Sequence, residues 1–386
     1  MKISGHQRAL LDHTIQAILS AANLLMDQYP SQAMEKVMLF GKPDTLTLDA
    51  IPEILVNTRL GEFDERIPLI TEENGISYSA AQLGYEIVMI ADPTDRSKQL
   101  ASYFDLMRKR DDNKKISEQL RDPEVLKEWV SIGSGPVEVT GATIAVSCVH
   151  NKQPLFAVIL NYVTNVLYVA CPTGVHSLDI STMSDEELSS LNSLTVSGNG
   201  TEITFPSVRK RQMRGDALFR FTTFTQKSGY PENLNDCMVF IREPLKHVVY
   251  DAPGGPTRVL YLSSVNVGEK ATEVGFILAN GEKITEWMHW LPFIRFSTNQ
   301  DGGPALKLFE VSIERPWTKD GILMSTLPDY SIFQKQEDGG FQLDMQILSR
   351  HQNPSRYRSM LVVTPHDNER VANLMVQRGY REIVFP

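Results

Sequence analysis

The spacing of apolar and polar positions divides the chain into segments with distinct expectations. From His6 to about Tyr29, the residues Leu10, Leu11, Ile15, Ile18, Leu19, Ala22 and Leu25 recur at helical intervals and predict an amphipathic helix. Pro30 suits its end. GKPDTLTLDAIPEILV predicts a turn and then a helix near Asp49. ERIPLITEENG reads as a short apolar strand closed by two carboxylates. GYEIVMIADP reads as a buried strand, because Ile87, Val88, Met89 and Ile90 show no polar alternation. RKRDDNKKISEQLRDPEVLKEW is helical in composition, breaks at Asp122-Pro123 and reads as a solvated face.

A strongly β region comes next. ATIAVSCVH, LFAVILNYV and NVLYVACP are rich in β-branched residues, with NKQP and VTN as turn material between them. They predict three consecutive antiparallel strands. From Ser177 the chain becomes rich in Ser, Thr and Asn, which reads as a linker plus an edge hairpin. That shift suggests an N-terminal α+β half over 1–185 and a C-terminal α/β half over 186–386. The last third mixes strands (RVLYLSSV, EVGFILA, MLVVTP) with two expected helices, PALKLFEVSIE and DNERVANLMVQRG. No internal repeat is evident. The expectation is an α/β protein with layered helices and sheets.

Composition narrows the function classes. The chain has 386 residues, 42% of them hydrophobic, enough to bury a large core. Its net charge of −9 argues against nucleic-acid binding, which needs a basic face. A small phosphorylated ligand remains compatible, because metal ions supply positive charge locally. Cys148, Cys171 and Cys237 are too few and too scattered for a disulfide framework or a zinc site, and the first two sit in apolar surroundings. The N-terminal residues lack an apolar secretory core, and no uninterrupted apolar run suggests a membrane span. A reduced, cytoplasmic protein without a membrane partner is the expectation.

The candidate chemistry lies at strand ends. Glu72 and Glu73 close one strand, and Asp92 and Asp95 close the next in MIADPTDRSKQL. Converging carboxylates repel unless cations neutralise them. Hard oxygen donors suit Mg²⁺, and two such ions can clamp both oxygens of a phosphoryl transfer. The other reading of Asp-Pro-Thr-Asp is a plain polar turn.

LITEENG followed by MIADPTDRS resembles the paired signatures of the inositol monophosphatase-like, lithium-sensitive phosphatases, the superfamily that includes fructose-1,6-bisphosphatase. GKPDTLTLDAIPEIL is similar to the family's helix start and aligns Asp44, Asp49 and Glu53. The β region resembles the family's meander. PALKLFEVSIERPWTKDGILMSTLPDYSIF resembles the segment carrying the third metal aspartate, here Asp329, and EDGGF resembles the turn that follows. The resemblance implies a layered αβαβα fold and a phosphomonoesterase using two or three Mg²⁺ ions on a small phosphorylated metabolite. Inositol phosphate, sugar phosphate and nucleotide 3′-phosphate stay open. Glu72, Asp92, Asp95, Asp329 and the carbonyl of Thr94 would hold metal. Asp49 and Ser97, with Glu72, would serve the attacking water, and the amides of Arg96 and Ser97 would cradle phosphate.

The chain departs from the pattern at named positions. Arg96 stands where the family has Gly, Thr71 where it has the Gly of Gly-Glu-Glu, and Pro328 where it has Trp. Residues from about Thr201 to Met288 include insertions that do not align. These departures support a rival reading, a catalytically impaired member that binds a phosphorylated ligand or a protein. The histidines show no paired spacing for a transition metal. The basic cluster RKRQMR reads as an exposed loop and the Gly-Gly-Pro after Asp251 as a turn. Trp287, Trp290, Phe293 and Phe296 read as core or as a subunit contact, which leaves a homodimer open.

Overall fold

The computed structural model describes residues 3–28, 35–39, 42–71, 86–95, 97, 100–101, 104, 109, 143–161, 165–202, 204–205, 238–239, 275–280, 288–312, 333–344, 358–366, 369, 372–373, 376 and 381–386. The chain divides into two compact units. One comprises Met1–Ile203 with Met288–Phe296, the other Thr204–Trp287 with Ser297–Pro386. Both are mixed α/β, the class expected from the sequence.

The first unit is built on a seven-stranded sheet among the described residues, ordered β3-β4-β5-β6-β7-β8-β9. Its strands are β3 (Leu69–Thr71), β4 (Ile87–Asp95), β5 (Thr143–His150), β6 (Gln153–Asn161), β7 (Val166–Cys171), β8 (Gly174–Asp179) and β9 (Thr201–Glu202). β3 and β4 are parallel, and every later pairing is antiparallel. The expected meander is therefore present. Asn151 and Lys152 both take positive φ, 48° and 61°, the backbone of a two-residue hairpin turn with the right twist.

β5 and β6 are buried along almost their whole length, which explains their continuous apolar runs. Helices cover one face. α1 (Gly5–Gln28) and α2 (Thr47–Phe63) pack together, and Leu11, Ile15, Ile18 and Val56 share a core with Leu69, Met89, Ala91, Ile144, Val146 and Phe156. α1 has the length and mean hydropathy, 1.2, of a membrane span, but 61% of that window is buried inside the protein, as in a core helix.

Two expectations change here. The polar stretch after Ser177 is not a linker plus hairpin. It completes β8, then forms α3 (Asp185–Ser190), α4 (Ser193–Asn199) and the edge strand β9. Local side-chain bonds explain why so polar a segment folds. Ser184 and Glu187 form a reciprocal capping box, and the Asn192 side chain accepts from the amides of Leu194 and Thr195. Gln16 on α1 donates to the carbonyls of Leu188 and Leu191, and Asp12 accepts from the Ser193 amide, so the segment belongs to the first unit. The part of the unit that starts at Met1 runs to Ile203, past the composition shift at residue 185, and the unit takes in Met288–Phe296 as well.

A short helix, α5 (Trp290–Phe296), packs on β6, β7 and β8. Phe293 is fully buried, in keeping with the core reading, and Phe296 is half-buried; Trp287 and the Trp290 side chain lie outside the described residues.

The first unit also holds a hairpin of β1 (Lys36–Leu39) and β2 (Lys42–Leu46). In the second unit β10 (Thr204–Phe205) pairs with β13 (Thr298–Asn299). β11 (Met238–Val239), β12 (Gly275–Asn280), β17 (Arg358–Pro365), β14 (Leu306–Ser312) and β18 (Arg381–Ile383) form a five-stranded sheet. PALKLFEVSIE is thus a strand, not the expected helix. Its core, β14, is hydrogen-bonded to β17 on one side and β18 on the other. A short apolar run fits either period, and pairing on both edges decides it. β15 (Phe333–Lys335) and β16 (Phe341–Leu343) form a hairpin whose turn uses Gly339 at φ 89°, within the EDGGF stretch. Of the expected last helix, Glu369, Ala372, Asn373 and Val376 are helical.

Two outcomes follow for stability. Phe156 is fully buried, so Phe156→Ala should cost about 3–5 kcal/mol, read as a lower urea midpoint. Burial holds the His176 imidazole below its ordinary value of 6.5, against the pull of the Glu202 carboxylate. The folded state then binds that proton less well than the unfolded chain. Stability should fall as pH drops below 6.5, and His176→Gln should flatten that fall in thermal melts across this range.

Candidate functional site

β3 runs parallel to β4, with Thr71, its last described residue, opposite Ala91, four residues before the end of β4. The sheet is regular up to Asp92, which pairs with Ala145. Asp95 then pairs with Thr143, so three steps on β4 match two on β5. This is a β-bulge, and Pro93 lies inside it. Proline has no N–H to give a ladder, so it is tolerated where the ladder is interrupted. The Asp-Pro-Thr-Asp stretch is therefore a bulged strand end rather than a plain turn.

The bulge re-aims the residues around it. Asp92 is 1% exposed and Thr94 is also buried. Strand alternation puts Ala91 on the face covered by α1 and α2, and Asp92 on the opposite one. A carboxylate at that depth is costly unless charge or hydrogen bonds compensate it. The Thr94 hydroxyl lies 3.0 Å from the carbonyl of Leu48 in the first turn of α2 and 2.6 Å from that of Pro93, so its one proton is shared between the two acceptors.

That contact has a local cause. Pro52 lies inside α2 and cannot supply the i→i−4 bond that Leu48 would otherwise receive. Thr94 provides a donor from outside the helix. The start of α2 is further tied down by Thr47, whose amide and hydroxyl both donate to the Glu35 carbonyl, at 2.8 and 3.0 Å. A second link joins α2 to the strand ends. Glu53 is fully buried, and its Oε1 accepts a short hydrogen bond from the Thr71 hydroxyl. Asp49, one turn before Glu53 on the same face, is half-buried in the first turn of the helix. A carboxylate there is favoured by the helix dipole.

The structure thus places Asp49, Asp92 and Thr94 on elements that meet at one edge. Ser97 is half-buried and helical just beyond β4. Asp44 is exposed on β2. Glu72, Arg96, Asp329, Asp251 and Cys237 lie outside the described residues, as does the Asp95 side chain; so do RVLYLSSV, RKRQMR and the charged segment apart from Lys109. Among the described residues, no group of three or more His, Cys, Asp or Glu side chains is close enough to hold a metal. The described donors, Asp49, Asp92 and Thr94, are all hard oxygens, and the burial of Asp92 suits a cation, so the residues fit Mg²⁺ in kind. Cys148 is buried, which pushes its thiol well up, and it offers no nucleophile.

No protein-family model matches the chain, and no curated protein does. The chain is similar to solved structures of the inositol monophosphatase family. CysQ from Bacteroides thetaiotaomicron, a bacterial member of that family, is 15% identical over 77% of this chain and 86% of its own, with a TM-score of 0.41. PH1897 from Pyrococcus horikoshii, with similarities for inositol-1 monophosphatase, is 11% identical over 97% and 98%, with a TM-score of 0.42. SuhB from Bartonella henselae is 14% identical over 44% of this chain and 52% of its own, with a TM-score of 0.29. At these values residue roles rest on the local geometry above and on the motifs.

Glu53 and Thr71 were not among the site residues expected from sequence, although Glu53 falls in the same motif as Asp49. The available signal was spacing: a carboxylate four residues after Asp49 shares its helix face. Thr94→Val keeps the shape but removes the donor to Leu48. It should cost about 1–3 kcal/mol, the penalty of a buried acceptor losing its partner, seen in a thermal melt.

Proposed function

We propose that this chain is a Mg²⁺-dependent phosphomonoesterase acting on a small phosphorylated metabolite. The observation that carries this reading is the buried Asp92 at a proline bulge, with Asp49 in the first turn of the helix tied to that bulge. The metal would be held by Asp92 and the Thr94 carbonyl, joined by Glu72, Asp95 and Asp329 on the motif resemblance. Bound there, Mg²⁺ would lower the pKa of a water and offset charge on the phosphate.

The chain's own residues would do the rest. Asp49 would accept a hydrogen bond from the Ser97 hydroxyl, and the pair would orient the attacking water in line with phosphorus. The carboxylate would also take up the proton that the water sheds. Amides at the start of the helix containing Ser97 would bind phosphate oxygens. Arg96 would add a cationic contact to phosphate. With a net charge of −9, the protein would depend on these local cations to hold an anionic substrate.

The test is phosphate release from a panel of inositol, sugar and nucleotide monophosphates, with and without Mg²⁺. Turnover should require the metal and fall at least ~100-fold in Asp92→Asn, the loss expected when several kcal/mol of transition-state charge stabilisation disappears. Folded wild-type protein that releases no phosphate from any of them would favour a binding role and make Arg96 the residue to explain.

A further inference from the structure

Two side-chain bonds tie the start of α2 to the two parallel strand ends. Thr94 reaches the Leu48 carbonyl, and Thr71 reaches Glu53. Asp49 lies between these two anchor points, next to Leu48 and one turn before Glu53. Three of the four anchor residues are almost sealed from solvent: Glu53 is 0% exposed, Thr71 1% and Leu48 0%, and Thr94 is 6%. Each bond also has a reason rooted in this sequence. Pro52 removes the helical donor to Leu48, and Thr71 supplies a hydroxyl at a position where glycine would supply none.

We infer that Thr71–Glu53 and Thr94–Leu48 form a two-point clamp that holds the first turn of α2, with Asp49, against the end of β3 and the bulge of β4. The functional half of this inference rests on the metal-site reading above. Glu53 and Thr71 are positioning residues. Glu53 acts through the end of β3 and through the helix turn that carries Asp49. Without the clamp, α2 would still pack through Val56 and Leu60, both buried, but its first turn would be free to shift away from the bulge. A buried, hydrogen-bonded pair of this kind holds site groups to narrow geometry, and loss of such supporting partners typically weakens metal affinity by about 10–100-fold.

The experiment compares Thr71→Val, Thr94→Val and Thr71→Ser with wild type. Two readouts are taken: Mn²⁺ affinity by calorimetry, and hydrogen exchange at the amides of Ile51 and Glu53. A conservative core variant with a matched melting temperature, Phe156→Leu, controls for lost stability. The clamp predicts that each valine variant weakens Mn²⁺ binding by about 10-fold or more and speeds exchange at both amides. It predicts that Thr71→Ser, which keeps the hydroxyl, stays near wild type, and that Phe156→Leu leaves Mn²⁺ affinity unchanged. Unchanged affinity in both valine variants, or an equal loss in Phe156→Leu, would overturn the positioning role. If wild type itself binds no Mn²⁺, the metal-site reading fails, and exchange alone judges the clamp. Unaltered exchange in the valine variants would then overturn the clamp as well.

Discussion

A proline in the second turn of α2 leaves the carbonyl of Leu48 without its usual helical donor, and the arrangement of the site follows from how the fold answers this. A buried carbonyl without a donor costs about 1–3 kcal/mol. The Thr94 hydroxyl meets that need at 3.0 Å. For Thr94 to reach α2, β4 must leave the regular ladder, and it does so through a bulge at Pro93. The helix irregularity and the strand irregularity therefore compensate each other. Together they bring the first turn of α2, with Asp49, to the end of the strand that carries Asp92.

The surrounding sheet keeps this arrangement from relaxing. β5 and β6 are buried on both faces, and Ile144, Val146 and Phe156 pack under α1 and α2. With the strands fixed, the freedom left is that of the helix start and the strand ends, where Thr47, Thr71 and Thr94 each contribute a hydroxyl bond. Three threonines hold a site whose candidate chemistry belongs to carboxylates. This division separates positioning from charge: hydroxyls set geometry, with Glu53 as one acceptor, and the proposed reading leaves Asp49 and Asp92 for a water and a cation.

Much of this was legible in the sequence, for identifiable reasons. Continuous β-branched runs gave β5, β6 and β7, and the NKQP turn matched a hairpin with two positive-φ residues. Apolar spacing gave α1 to within a residue or two. The acidic strand ends singled out Asp92, which the structure buries at a bulge. Short apolar runs misled: Leu306–Ser312 has a pattern that either period fits, and only pairing with β17 and β18 makes it a strand. The polar stretch after Ser177 looked like a linker because its order comes from caps and from Gln16 and Asp12 on distant α1, contacts that composition does not encode. The link between Glu53 and Thr71 was invisible for the same reason, since eighteen positions separate them in the chain.

The central claim is that the bulged end of β4 is a divalent-cation site. Anomalous diffraction from crystals of the full chain grown with Mn²⁺ tests it most directly. The account predicts a peak within about 2.0–2.4 Å of an Asp92 carboxylate oxygen, the range for a hard cation on oxygen donors. A well-ordered β4 terminus with no anomalous peak near Asp92 at millimolar Mn²⁺ would contradict it.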